Sequence, residues 1–309
     1  MVGTSRIYVA GAGTAIGGAL LQALGRGGYR EILGAPPREP DLLDAAAVDA
    51  FFCEARPEFV FLAGGPSGGI RANQKYPADL MRANLLAECH VIHAAHAHGA
   101  QKLLYLASSC CYPRLCPQPM RVEMLMTGPL EPTNAAYGTA KLAGIEMCRA
   151  YRRQHGANFV AAIPANSFGP GESLDPEDSH VVAALMTRLH EARVRGARDV
   201  EVWGTGAARR EFIFLDDLAD ACVFLMEQYD GAEPINVGLG SDLSIRELAQ
   251  TIAEVVGYSG ELRFDTSQPD GMPLKRLDSS RLHAMGFRPA ADLRSALDRT
   301  YRWFLEAAP

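Results

Sequence analysis

The sequence predicts an α/β fold, a Rossmann-type doubly wound parallel sheet carrying a smaller C-terminal α/β substrate domain. Three observations predict it. Short β-rich runs alternate with helical patterns through the first half of the chain, the rhythm of strands joined by crossover helices. The stretch "YVAGAGTAIGGALL" (8–21) sets a glycine-rich turn between the first strand and the first helix. The stretch "NAAYGTAKLAG" (134–144) places a tyrosine and a lysine four apart at the start of a later helix.

The elements follow in order. "RIYVAG" (6–11) reads as a strand, followed by a helix from about Ala15, then "REILG" (30–34) and the helical "LLDAAAVDAFFCEA" (42–55). "EFVFLAGG" (58–65) precedes a helix over 78–98, "KLLYLAS" (102–108) a helix over 136–155, and "NFVAAIPAN" (158–166) closes the regular part. Ligands of such sheets bind beyond the carboxyl ends of the strands. A long loop, "SFGPGESLDPEDSH" (167–180), then breaks the alternation. Helices over 179–195, 215–228, 244–257 and 292–306 follow, with short strands such as "VEVWG" and "PINVG". The expected division is 1–166 with 211–237 as the dinucleotide-binding domain, and 167–210 with 238–309 as the substrate domain.

The formal charge of −6, from 30 basic and 36 acidic residues spread along 309, offers no footprint for nucleic acid or an anionic membrane. The N-terminal "MVGTSRIYVAGAG" has no apolar region of signal-core length, and no 18-residue apolar span occurs in the sequence. The seven cysteines are odd in number and lack paired metal spacing, so they read as reduced thiols in a cytoplasmic protein with no metal site. His90, His93, His96 and His98 read as one partly exposed helix face. "TRLHEARVRGARDVE" (187–201) reads as a solvated helix and loop, while Tyr151, Phe159, Phe212, Phe214 and Phe224 read as core.

Gly11, Gly13 and Gly17 allow a tight turn and close backbone approach, and the helix N-terminus behind them offers free N–H groups to a pyrophosphate. An acidic residue after the second strand would favour NAD and a basic one NADP. Arg38, in "GAPPRE", tips the reading towards NADP(H), with NAD(H) open.

Tyr137 and Lys141 share a helix face. An ammonium and an oxidised nicotinamide both favour the phenolate, so Tyr137 can exchange a proton with a carbonyl or alcohol as hydride moves. Ser108 would hydrogen-bond the same oxygen. If the strand stays extended past residue 108, Ser108, Cys110 and Tyr112 share a side. Cys110 is then either a base beside a polarised ketone or a small buried hydrophobe, and both readings stand. Cys111 points into the core.

With these residues on view, the chain resembles the extended short-chain dehydrogenase/reductases, and within them it is similar to the GDP-L-fucose synthases. The similarity spans nearly the whole chain. It is densest in "GGIRANQKYPADLMRANL", "SSCCYPRLCPQPM", "GPLEPTNAAYGTAKLAGIEMCRAY", "SHVVAALMTRLHEA" and "VWGTGAARREFIFLDDLADA". The resemblance implies a 3,5-epimerase/4-reductase acting on a GDP-linked 4-keto sugar. Ser108, Tyr137 and Lys141 would be its reductase triad, with Cys110 and His180 as epimerase base and acid. It implies that Thr14, Ala15, Ile16, Leu42, Ala63, Gly64, Leu106, Pro164, Asn166 and His180 join the glycine loop, Arg38, Tyr137 and Lys141 around the dinucleotide. Ser109, Asn166, Val181, Arg188, Trp203, Arg210, Asp270 and Lys275 would hold the GDP and sugar. It also implies a homodimer built on the two long helices. The departures cluster at the cofactor. The family's AGHxGMVGS is "AGAGTAIGG" here, the arginine-bearing end of its second strand is "GAPPRE", and its Ala-Ala-Lys is Gly64-Gly65-Pro66. A chain with only one half-reaction, or one acting on a related GDP-4-keto sugar such as a heptose, is the nearest alternative. A non-enzymatic dinucleotide sensor is a distant third.

Overall fold

The computed structural model describes residues 1–175, 179–268 and 270–307. The first half runs β1 (Ile7–Ala10), α1 (Ala15–Arg26), β2 (Ile32–Leu33), α2 (Ala45–Ala55), β3 (Phe59–Leu62), α3 (Ile70–Lys75), α4 (Pro77–Ala97), β4 (Lys102–Leu106), α5 (Ala135–His155) and β5 (Phe159–Pro164). The second half continues with β6 (Asn166–Phe168), α6 (Val181–Arg195), β7 (Asp199–Trp203), β8 (Arg209–Arg210), β9 (Phe212–Phe214), α7 (Leu215–Gln228) and β10 (Ile235–Val237). It ends with β11 (Leu243–Ser244), α8 (Ile245–Val256), β12 (Glu261–Asp265), β13 (Leu274–Lys275), α9 (Ser280–Ala284) and α10 (Leu293–Ala307).

Six strands form one parallel sheet in the order β10-β5-β4-β3-β1-β2. Its central strands are apolar runs buried throughout, as in "IYVA" and the "LLYL" that follows Lys102, because helices cover both faces. The helices pack in two groups, α2 with α4 and α5, and α1 with α7, the two layers of a doubly wound fold.

A second core gathers α6, α8 and α10 around Leu189, Leu248, Ile252 and Leu297, each fully buried. Three small pairings surround it. β7 lies parallel to β12, β6 parallel to β9, and β8 sits between antiparallel β11 and parallel β13. The two cores do not follow the expected boundaries throughout. Leu277, Leu282 and Phe287 pack on the first core, whereas Phe212 and Phe214 belong to the second.

Several sequence expectations change on contact with the structure. The chain does not stay extended after β4. It turns at once into a short 3-10 helix, Ser109–Cys111, started by Ser108, whose Oγ accepts from the Cys110 N–H at 3.2 Å. Strand alternation therefore does not place Cys110, and Tyr112 lies in the core with its hydroxyl donating to Asn236 at 2.6 Å. The mixed-charge run at 187–201 is not merely solvated, since α6 buries Leu189 and Ala192 in the second core. Of the 167–180 loop, residues 176–178 lie outside the described residues. The histidines along α4 and at its end have protein partners: His90 meets Leu42 O, His93 meets Tyr151 Oη, His96 stacks on His155, and His98, just past the helix, meets Asp49. Among the described residues, no His, Cys, Asp and Glu side chains group to hold a metal. No helix there is long and apolar enough to cross a membrane.

Candidate active site

The glycine loop connects β1 to α1. Gly11 has φ +91°, and a Cβ on it would lie 2.4 Å from Gly64 Cα. Gly17 is equally closed, for its Cβ would lie 2.0 Å from Gly11 O. Gly13, by contrast, faces open space, with no heavy atom within 4 Å of an added Cβ. Tight backbone approach on both sides of an open position is the cradle a diphosphate requires. Thr14, where the family has glycine, caps α1: its Oγ1 accepts from Gly17 N at 3.0 Å and donates to Gly11 O at 2.7 Å. Ala15 and Ile16 form the first turn of α1. Leu42 packs on the Gly64 backbone, and a Cβ there would come within 2.6 Å of its Cδ1. Ala63, Leu106 and Pro164 lie at the carboxyl ends of β3, β4 and β5, along the rim where a dinucleotide crosses such a sheet.

Around this rim the structure adds a group that sequence reasoning overlooked. The Glu39 carboxylate accepts from the backbone N–H of Gly11 and, at 3.2 Å, of Ala12. Arg38 beside it is exposed. A carboxylate thus caps the amides of the glycine loop, while Arg38 projects to the surface.

The reacting groups converge at the carboxyl ends of β4 and β5. Tyr137, in the first turn of α5, has the Ser108 hydroxyl as a neighbour. Burial pushes its phenol well above the usual range, the Cys110 and Cys111 thiols add to this, and the Ser108 hydrogen bond opposes it. Lys141 is 4 % exposed, with Nζ 5.9 Å from the Tyr137 ring centroid. Its ammonium pairs at 3.1 Å with Glu88, itself 1 % exposed on α4.

Cys110 faces this group from the 3-10 turn. Its Sγ accepts from Asn134 Nδ2 at 3.2 Å and from Lys275 Nζ at 3.5 Å. The same Lys275 acts on His180. The His180 side chain is 44 % exposed; partial desolvation, and after it the Lys275 ammonium, holds its imidazole below the usual range. Behind His180, at 3.7 Å from Nδ1, lies Glu172, whose side chain is 8 % exposed and whose carboxyl burial raises to about 8.

The other assigned residues line the way out of this centre. Ser109 is buried in the 3-10 turn, Val181 opens α6, and Asn166 donates to Glu211 O at 3.0 Å. Arg210 stands beside Lys275 across the β8–β13 pairing. Its guanidinium donates to Met272 O and Asp270 O, and burial lowers its proton affinity against the pull of Asp270. Asp270 is committed to Thr205, accepting from its N–H and hydroxyl at 2.8 Å each. Trp203 and Arg188 border a cavity of about 500 Å³ at the edge of the second core. Arg71, on α3, also lines it and places its Cζ 4.3 Å from the Trp203 ring centroid. Arg71 falls within "GGIRANQKYPADLMRANL", yet no role could be read for it along the chain, because its contact is with Trp203 of β7, far off in sequence.

A family model of NAD dependent epimerases and dehydratases matches residues 7–238. Arabidopsis thaliana "GDP-L-fucose synthase 1" is 47 % identical over 98 % of this chain and 94 % of its own length. The chain belongs to the NAD dependent epimerase/dehydratase family, on its GDP-L-fucose synthase branch. Its fold is shared by a GDP-6-OMe-4-keto-L-xylo-heptose reductase from C. jejuni, with a TM-score of 0.93 and 32 % identity over 99 % of both chains. A GDP-L-fucose synthetase from Naegleria fowleri, solved with NADP bound, superposes with a TM-score of 0.89 and 26 % identity, covering 99 % of this chain and 95 % of the other.

Proposed function

We propose that the protein is a 3,5-epimerase/4-reductase converting GDP-4-keto-6-deoxy-D-mannose to GDP-L-fucose. The observation that supports this reading is the Lys275 ammonium 3.5 Å from the Cys110 thiol, with His180 at the head of α6; in the proposed reaction Cys110 and His180 would flank one substrate position. Cys110 takes the proton from C3 or C5, and the bond electrons move to the C4 oxygen, held as an enolate by Ser108 and Tyr137. His180 returns a proton to the opposite face, which inverts the carbon. In the second stage the nicotinamide, when bound, supplies hydride to C4. Tyr137 gives its proton to the C4 oxygen, a role that suits a phenol whose burial keeps it protonated. The glycine loop, Leu42, Ala63, Gly64, Lys141 and Asn166 would hold the dinucleotide. Arg188, Arg210 and Trp203 would hold the GDP, guanidinium groups being well matched to a diphosphate.

NADP(H) is the cofactor in this reading, with NAD(H) accepted. The protein works in the cytoplasm as a homodimer joined through α4 and α5. The fold match to a heptose reductase favours one alternative, reduction of a related GDP-4-keto sugar at C4 without epimerisation. The test is to supply GDP-4-keto-6-deoxymannose with either reduced cofactor, follow cofactor absorbance, and assign the product by NMR. Loss of absorbance with a GDP-6-deoxy-L-hexose product supports the proposal. A D-configured product supports the reductase alternative, and no turnover with either cofactor overturns both readings for this substrate.

A further inference from the structure

The best-formed charge arrangement near the site lies one layer below it. Glu88 sits in the middle of α4 with 1 % exposure, where a carboxylate is costly to desolvate unless it is well paired. One oxygen receives the Lys141 ammonium at 3.1 Å and the Tyr105 hydroxyl at 2.7 Å. The second oxygen is buried without a partner. Tyr105, fully buried in β4, also donates to Lys141 O at 3.3 Å, so Glu88, Tyr105 and Lys141 form a closed knot under α5. Burial raises the Glu88 carboxyl, while Lys141 and the Tyr105 hydrogen bond oppose that.

A helix-to-helix staple would not require a charge in this place. An apolar pair of similar volume would join α4 to α5 at lower cost in desolvation. The distinctive consequence of a carboxylate is electrostatic. It balances Lys141, and its negative charge disfavours the phenolate of Tyr137. The groups facing Tyr137 are Cys110, Cys111 and Ser108 from the turn after β4, Tyr105 from β4, Lys141 from its own helix and Glu88 from α4. Glu88 alone brings a carboxylate to this set.

We propose that Glu88 is a positioning residue for the reductase step: it anchors Lys141 and, by balancing that ammonium, keeps the proton on Tyr137 until the C4 oxygen takes it. The proposal rests on Tyr137 being the acid of the reaction. Since Lys141 and the nicotinamide both pull Tyr137 towards phenolate, an uncompensated Lys141 would make the phenol ionise too early.

The experiment titrates Tyr137 in the complex with the oxidised dinucleotide. Tyrosinate absorbance is followed against pH, and the same titration of Tyr137→Phe is subtracted to isolate this phenol. In Glu88→Gln the ionisation midpoint should fall by about one pH unit, the scale of one nearby charge. The alkaline limb of kcat/KM for ketone reduction should move down with it, because the reaction needs the protonated phenol. Glu88→Asp, which keeps the charge, should restore much of both values. Thermal melts accompany each variant. A Glu88→Gln protein that melts lower but leaves both pH values in place would show a packing role only and overturn the proposal. Should Glu88→Gln fail to fold, Glu88→Asp and Tyr105→Phe carry the test, since Tyr105→Phe leaves the charge and should leave the midpoint within a few tenths of a unit. A shift of a full unit in Tyr105→Phe would contradict the charge argument. Failure of the underlying reading gives a different result: Tyr137→Phe would then keep wild-type turnover, whatever Glu88→Gln does.

Discussion

Cys110 separates the two stages of the proposed reaction. Cys110→Ser nearly preserves volume but exchanges a thiol that ordinarily ionises near ~8.5 for a hydroxyl too weakly acidic to act as base at neutral pH. Ser108, Tyr137 and Lys141 are untouched. The variant should lose solvent-deuterium exchange at C3 and C5 by at least about a hundredfold and still reduce the unepimerised ketone slowly, which NMR of the product will show. Exchange at the wild-type rate would make Cys110 a packing residue. Glu172 supports a second prediction at this scale. Burial raises its carboxyl to about 8, so the folded chain keeps a proton that the unfolded chain releases near ~4.3. Its contribution to stability is therefore complete at acid pH and is lost as pH rises from about 4 to about 8. Glu172→Gln carries no such penalty, so its Tm relative to wild type should improve between pH 5 and pH 8. A constant difference would mean that Glu172 ionises normally.

At the scale of elements, the strands and long helices were legible because they rest on local signals: continuous apolar runs for buried parallel strands and 3.6-residue periodicity for α4 and α5. The two-residue strands β8, β11 and β13 were not, since tertiary pairing alone defines them. That Tyr137 and Lys141 share one helix face could be read from their spacing along α5. The position of Cys110 could not, because the Ser108 cap turns the chain into a 3-10 helix where alternation would have continued it. Glu39 was missed for a similar reason. Its contact with the glycine loop follows from how β2 returns to β1, and Arg38, the neighbour that attracted notice, points outward. That exchange bears on cofactor choice. The loop amides meet a carboxylate, and "AGAGTAIGG" carries no basic residue. NADPH should therefore bind no more than about a hundredfold tighter than NADH, a difference of roughly 2.7 kcal/mol. Fluorescence titration of the two reduced cofactors measures the ratio, and a larger preference for NADPH would reveal a phosphate clamp elsewhere.

Across the whole molecule, the proposed substrate must bridge two cores. Its keto sugar belongs at β4 and α5, over the first core, and its nucleotide belongs beside β7, on the second. Arg71 and Trp203 already reach across this gap, one from α3 and the other from β7. An aromatic ring flanked by two guanidinium groups, Arg71 and Arg188, is a platform for a purine and an attractor for its phosphates. The geometry makes nucleotide binding separable from chemistry, and the chain supplies its own reporter. It has two tryptophans, Trp203 at the cavity and Trp303 on α10, packed against the second core. GDP without any sugar should quench the intrinsic fluorescence. Trp303→Phe should keep the quench and Trp203→Phe should abolish it, while cofactor affinity stays within about twofold in both. Arg71→Ala should weaken the GDP midpoint by roughly tenfold, the value of one well-placed charged contact. Were the quench to persist in Trp203→Phe, the nucleotide would lie elsewhere, and the path from β4 to β7 would not be the substrate's course.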